Sequence, residues 1–123
     1  MVEERTGGKK NPEPKIVGTI LSVDYSIEKK IPPNLVVDAT GQVPTSGYSK
    51  VQLMRVVYAT PPEDGIQDYV LLAVPPSDQA AAVVSEVKAV DRWTGYEREA
   101  PWIKGMRVHG VDDGVIVKMT SAR

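Results

Sequence analysis

The chain has 123 residues, a formal net charge of −1 and no cysteine. That length fits one domain and buries enough surface to fold without a disulfide or a metal. The missing cysteine excludes a disulfide scaffold, a thiolate zinc site and a cysteine nucleophile. The near-zero charge excludes a whole-molecule field that would gather nucleic acid or anionic lipid.

No apolar run approaches the roughly 18 residues of a membrane-spanning helix, so no membrane insertion is expected. The first ten residues, Met1 to Lys10, hold no hydrophobic stretch, so no signal peptide is expected and the chain reads as soluble. Compartment and oligomeric state stay open. Residues 1–15 are charged, rich in Gly and Pro, and have little to bury, which predicts a flexible tail before a single β domain over 16–123. With no phenylalanine, the core must come from Val, Ile and Leu, with two tryptophans and five tyrosines as the large pieces.

Ile16 to Ile27 alternates with a β-branched bias and predicts a strand. Ile31-Pro32-Pro33-Asn34 turns the chain into a second strand, Leu35 to Val43. Pro44-Thr45-Ser46-Gly47 is the next turn. Tyr48 to Thr60 predicts a third strand, with Val51, Leu53, Arg55, Val57 and Ala59 on one face. Pro61-Pro62 ends it, because proline cannot donate to a ladder. Ile66 to Val74 is a fourth strand, closed by Pro75-Pro76.

Residues 77–90 carry two patterns. Ser77 or Asp78 can cap a helix over Gln79-Ala80-Ala81-Ala82, with Ala80, Val83, Val84, Val87 and Val90 as its stripe. The valine-rich run favours a strand from about 82, which is the reading adopted. Ile103–Gly110 and Val111–Thr120 read as a terminal hairpin, with Asp113-Gly114 supplying the φ > 0 turn positions. The sum is an all-β fold: an antiparallel β-sandwich of about seven strands and immunoglobulin-like size. The alternatives are a β-barrel, or an α+β fold if residues 78–90 form a helix.

Three phrases stand out: Gly41-Gln42-Val43-Pro44-Thr45-Ser46-Gly47-Tyr48, Tyr58-Ala59-Thr60-Pro61-Pro62-Glu63-Asp64-Gly65-Ile66-Gln67-Asp68 and Pro101-Trp102-Ile103-Lys104-Gly105-Met106-Arg107-Val108-His109. Together they resemble a group of small bacterial proteins that share them, over residues 35–120. The resemblance implies a bacterial origin and carries no activity, cofactor or catalytic residue.

Chemistry has few footholds. His109 is the only histidine, and no serine lies in a G-x-S-x-G phrase, so neither a triad nor a histidine metal site is signalled. A hydrolase using His109 or paired carboxylates is the weakest alternative. Glu63, Asp64 and Asp68 gather around one loop, and such carboxylates at a sandwich end can hold Ca²⁺; the same residues also serve turns. Asp112 and Asp113 form a second acidic pair at the last hairpin. Trp93, Tyr96, Arg98 and Trp102 fall within ten residues. Exposed together, these rings would form a platform for a protein or a carbohydrate; buried, they would plug one end of the sandwich. Glu97 and Glu99 beside them argue against nucleic acid. The chain therefore reads as a non-catalytic binding module contacting a macromolecule or carbohydrate, with a structural or self-assembly role as the alternative.

Overall fold

The computed structural model describes residues 13–77 and 80–119. Most of the expected tail, residues 1–12, lies outside the described residues, as do Asp78 and Gln79. Eight strands and one short helix follow in order: β1 (Lys15–Ile16), β2 (Thr19–Glu28), β3 (Asn34–Val43), β4 (Ser49–Arg55), β5 (Ile66–Val74), β6 (Ser85–Thr94), α1 (Tyr96–Glu99), β7 (Gly105–His109) and β8 (Gly114–Lys118). They form a five-stranded and a three-stranded sheet packed face to face. The all-β sandwich is therefore the observed class, and the barrel alternative is set aside because the sheets stay separate.

In the smaller sheet β3 lies between β2 and β6, antiparallel to both. In the larger sheet β5 is central. Residues 69–72 and Val74 of β5 pair with β4 on one edge. Its other edge takes β7 along Ile66–Val70 and β1 at Leu72–Ala73. The β5–β7 pair is parallel, which corrects the expectation of antiparallel pairing throughout. The chain leaves β5, crosses to the other sheet as β6, and returns through α1 before joining β5 again. Between the sheets lies an apolar core that includes Leu35, Val37, Tyr69, Leu71, Met106 and Val108, each fully buried.

Several boundaries differ from the sequence reading, each for a tertiary reason. The strand expected over Ile16–Ile27 breaks at Val17-Gly18, and its two pieces join different sheets. Val17 donates to the Leu71 carbonyl and accepts from the Val111 amide (both 2.9 Å), so this corner is tied to β5 and to the last turn. The strand expected to reach Thr60 leaves the regular ladder after Arg55, with one last bond from the Val56 amide to the Asp68 carbonyl. No helix forms over the described part of 77–90. A helix there would present its valine stripe to nothing, whereas β6 pairs with β3 over ten residues and buries Val87, Ala89 and Trp93. The strand begins at Ser85 rather than about 82, after Ala81 has bonded to Ser46. The terminal hairpin is present, but Gly114 lies inside β8 and is not among the positive-φ glycines. Four residues, Gly110 to Asp113, make that turn, held by the Gly110 amide on the Asp113 carbonyl. The Asp112 and Asp113 carboxylates accept from the Thr19 hydroxyl (3.1 Å) and the Ile20 amide (3.2 Å), which makes them a latch onto β2.

Candidate functional site

Two constellations collect the polar side chains. The first lies on the outer face of the five-stranded sheet. The parallel register sets Asp68 beside Arg107 and Val70 beside His109. Asp68 Oδ1 accepts from Arg107 Nε (2.7 Å) and lies 2.8 Å from His109 Nε2. Its Oδ2 accepts from the Tyr58 hydroxyl (2.6 Å), whose oxygen accepts the Asp68 amide in return (2.7 Å). Burial alone would push the Asp68 carboxyl up, but the bonds from Tyr58, Arg107 and His109 outweigh it and hold it below its ordinary value. Burial and the neighbouring carboxylate push the Tyr58 phenol up to about 12.

The expected Glu63–Asp64–Asp68 cluster is drawn into this network. Asp68 faces Arg107 and His109, and Asp64 caps the Ile66 amide (3.0 Å) and lies 3.6 Å from Arg107. Glu63 is exposed. The loop closes through Gly65, whose φ of +72° suits glycine and whose carbonyl accepts the Lys104 amide. Among the described residues no group of three or more acidic or histidine side chains is placed to hold a metal.

The second constellation is a groove of about 730 Å³ at the edge of the sandwich where β4 faces β6. Residues 53–61 form one wall; Asp91, Trp93, Glu99 and Trp102 form the other, with Gln67 between. Trp93 is 7% exposed and donates its indole N–H to Glu99 Oε1 (2.9 Å). The Arg55 guanidinium lies over the Trp93 ring, 4.6 Å from its centroid. Tyr58 meets Trp102 edge to face at 5.9 Å, so its ring belongs to the groove while its hydroxyl serves Asp68.

Asp91 occupies an inward position of β6, in step with Val87, Ala89 and Trp93. Its Oδ2 lies 3.1 Å from Arg55 Nε, yet that buried oxygen receives no hydrogen bond of acceptable geometry. The pair is thus a Coulombic contact without an aimed N–H. Burial raises the Asp91 carboxyl, and Arg55 offsets only part of the rise. Beneath the pair, the fully buried Tyr69 hydroxyl also lacks a partner. The Asp91 carboxyl is raised, so it favours folding below its ordinary range and loses that contribution as pH rises. Asp91→Asn is accordingly expected to raise the thermal midpoint at pH 7 and leave it nearly unchanged at pH 3. Melts at the two pH values check this; a lower midpoint at pH 7 would mean the ion pair is net stabilising.

The four residues singled out around the tryptophans separate. Trp93 and Tyr96 are each 7% exposed, so no three-ring platform faces solvent. Trp102 is half-buried in the groove wall, and Arg98 is exposed on α1 away from the groove lining. Arg55, Tyr58, Asp91 and Arg107 were missed by sequence reasoning. Arg55 and Asp91 left a signal: each charge interrupts the apolar face of its own alternating strand. No imidazole or thiol lines the groove, and of its two carboxylates Asp91 lies against Arg55 while Glu99 accepts from Trp93.

No helix among the described residues is long and apolar enough to cross a membrane. No family model matches the chain, and neither curated proteins nor solved structures show a significant similarity to it.

Proposed function

We propose that the protein is a non-catalytic interaction module that takes an extended segment of a partner protein as an added strand along β4, with one side chain of that segment in the groove. The observation that supports this is an unguarded strand edge beside a concavity. Among the described residues β4 pairs only with β5. The Val56 amide bonds to β5, so by antiparallel alternation the amides and carbonyls of Leu53 and Arg55 point away from it. The chain continues into Val56 and Val57, the latter 91% exposed, and Met54 is also exposed. Natural edges carry charges, bulges or prolines against unwanted pairing. Here the bulge lies before Gln52 and the prolines begin at Pro61, leaving Leu53–Thr60 with Arg55 as its only charge. Such an apolar window suits strand addition, in which backbone bonds give affinity and pockets give selectivity.

A carbohydrate is less well served, because Trp93 is buried under Arg55 and a single half-buried indole is a small platform. Pairing of two copies through β4 is also less well served. A two-fold interface must be self-complementary, and a concave patch facing its own copy encloses a void.

Amide hydrogen exchange tests the reading. The Leu53, Arg55 and Val57 amides are expected to exchange fast in the isolated protein at all concentrations, while Gln52 and Met54 are protected. Protection of the first three that grows with protein concentration would favour self-assembly. Protection independent of concentration would mean that the edge is already covered, and would overturn the proposal.

A further inference from the structure

We infer that the side chain received by the groove is cationic, a lysine or an arginine of the incoming strand; this rests on the reading of β4 as a peptide-binding edge. The groove lining holds two carboxylates, Asp91 and Glu99, against a single guanidinium. That guanidinium is already committed, stacked on Trp93 and set against Asp91. Asp91 Oδ2 is buried and adds only its charge. Glu99 is exposed and its bond to the Trp93 indole uses only one of its oxygens, so Glu99 is the acceptor an entering cation meets. The lining therefore offers an accessible carboxylate on Glu99 and an excess of one negative charge.

The remaining walls suit the rest of such a side chain. Trp102 and Tyr58 line the groove with aromatic rings, whose π-faces attract a desolvated cation. Met54 and Val57 flank the window and would pack the methylene stem of lysine or arginine. An acidic anchor would meet like charge. An aliphatic anchor would take water from the Glu99 carboxylate and offer no donor in its place. Selectivity for a cation thus follows from what the wrong side chains suffer as well as from what the right one gains.

The test is a titration of ¹⁵N-labelled protein with synthetic peptides of alternating threonine and serine, identical except for a central lysine, norleucine or glutamate, up to about 1 mM. The lysine peptide is expected to shift the Leu53, Arg55 and Val57 amides and the indole N–H signals of Trp93 and Trp102. It should bind at least about tenfold tighter than the norleucine peptide. Combining Asp91→Asn with Glu99→Gln should erase that difference, and the glutamine still offers Trp93 an acceptor. If the norleucine or glutamate peptide binds as tightly while the edge amides shift, the cationic anchor is wrong and the edge reading stands. If no peptide shifts the edge amides, the edge reading fails and the cationic anchor fails with it.

Discussion

Asp68→Ala is expected to lower the thermal midpoint by roughly 10 °C, corresponding to about 2–4 kcal/mol. The carboxylate is 18% exposed and joins Tyr58, Arg107 and His109 at one point. Truncation leaves Arg107 with the longer contact to Asp64. It also takes from the Tyr58 hydroxyl its short bond to the carboxylate, loosening the ring that forms a groove wall although the Asp68 amide still bonds to it. The loss should therefore also appear as faster exchange near Tyr58 and a changed Trp102 indole signal. A midpoint within about 1 °C of the parent would show that the network is solvated and nearly neutral.

The pH dependence follows with its sign. The folded Asp68 carboxyl lies below its ordinary value, so its contribution is complete above the ordinary carboxylate range and is lost as pH falls through the folded value. Glu28 acts in the same direction. Its bonds from Arg92 and Asn34 bring it from 4.5 to about 2. The parent should lose stability on acidification toward pH 2, and Asp68→Ala should lose less over the same interval. Equal slopes for the two proteins would remove Asp68 from the account.

Leu71→Ala is expected to cost about 2–5 kcal/mol, enough to unfold a large fraction of a marginal domain at 37 °C. Leu71 is fully buried on the central strand, and its carbonyl holds the Val17 amide. Space around it is already committed. A Cβ on Gly41 would come within 2.8 Å of Leu71 Cδ2 and 2.7 Å of Val17 Cγ1, so the glycine permits close approach of β3 to this corner. With neighbours packed that tightly, the cavity left by truncation cannot collapse fully. Denaturant titration checks the magnitude; a loss below about 1 kcal/mol would mean that the corner repacks.

Asp68 and Leu71 are on one strand and face opposite ways, and the sequence predicted only one of their roles. Ile66–Val74 was legible as a strand from its composition, and its buried inner residues alternate with half-buried outer ones over Gln67–Ala73. Nothing local marked Asp68 as a hub, because Arg107 and His109 reach it through a parallel pairing across 39 and 41 residues. Trp93, Tyr96 and Trp102 were legible as a group, yet their local spacing is compatible with a platform or a plug. Arg55, far away in sequence, covers the Trp93 ring and joins β4 to β6.

By itself the sequence determined the class of fold, since strand composition, two-residue alternation and the Pro and Gly breaks are local properties that act without distant partners. It also determined the absence of cysteine chemistry and the positions of most strands. Only the tertiary structure decided which strands share a sheet, that β5 and β7 run parallel, and that Val17-Gly18 divides one strand between two sheets. It alone also decided that the edge of β4 stands open beside a groove with two carboxylates. Those outcomes depend on long-range pairing, where one register wins because it buries Leu71, Tyr69 and Met106 together. No short window of residues contains that comparison.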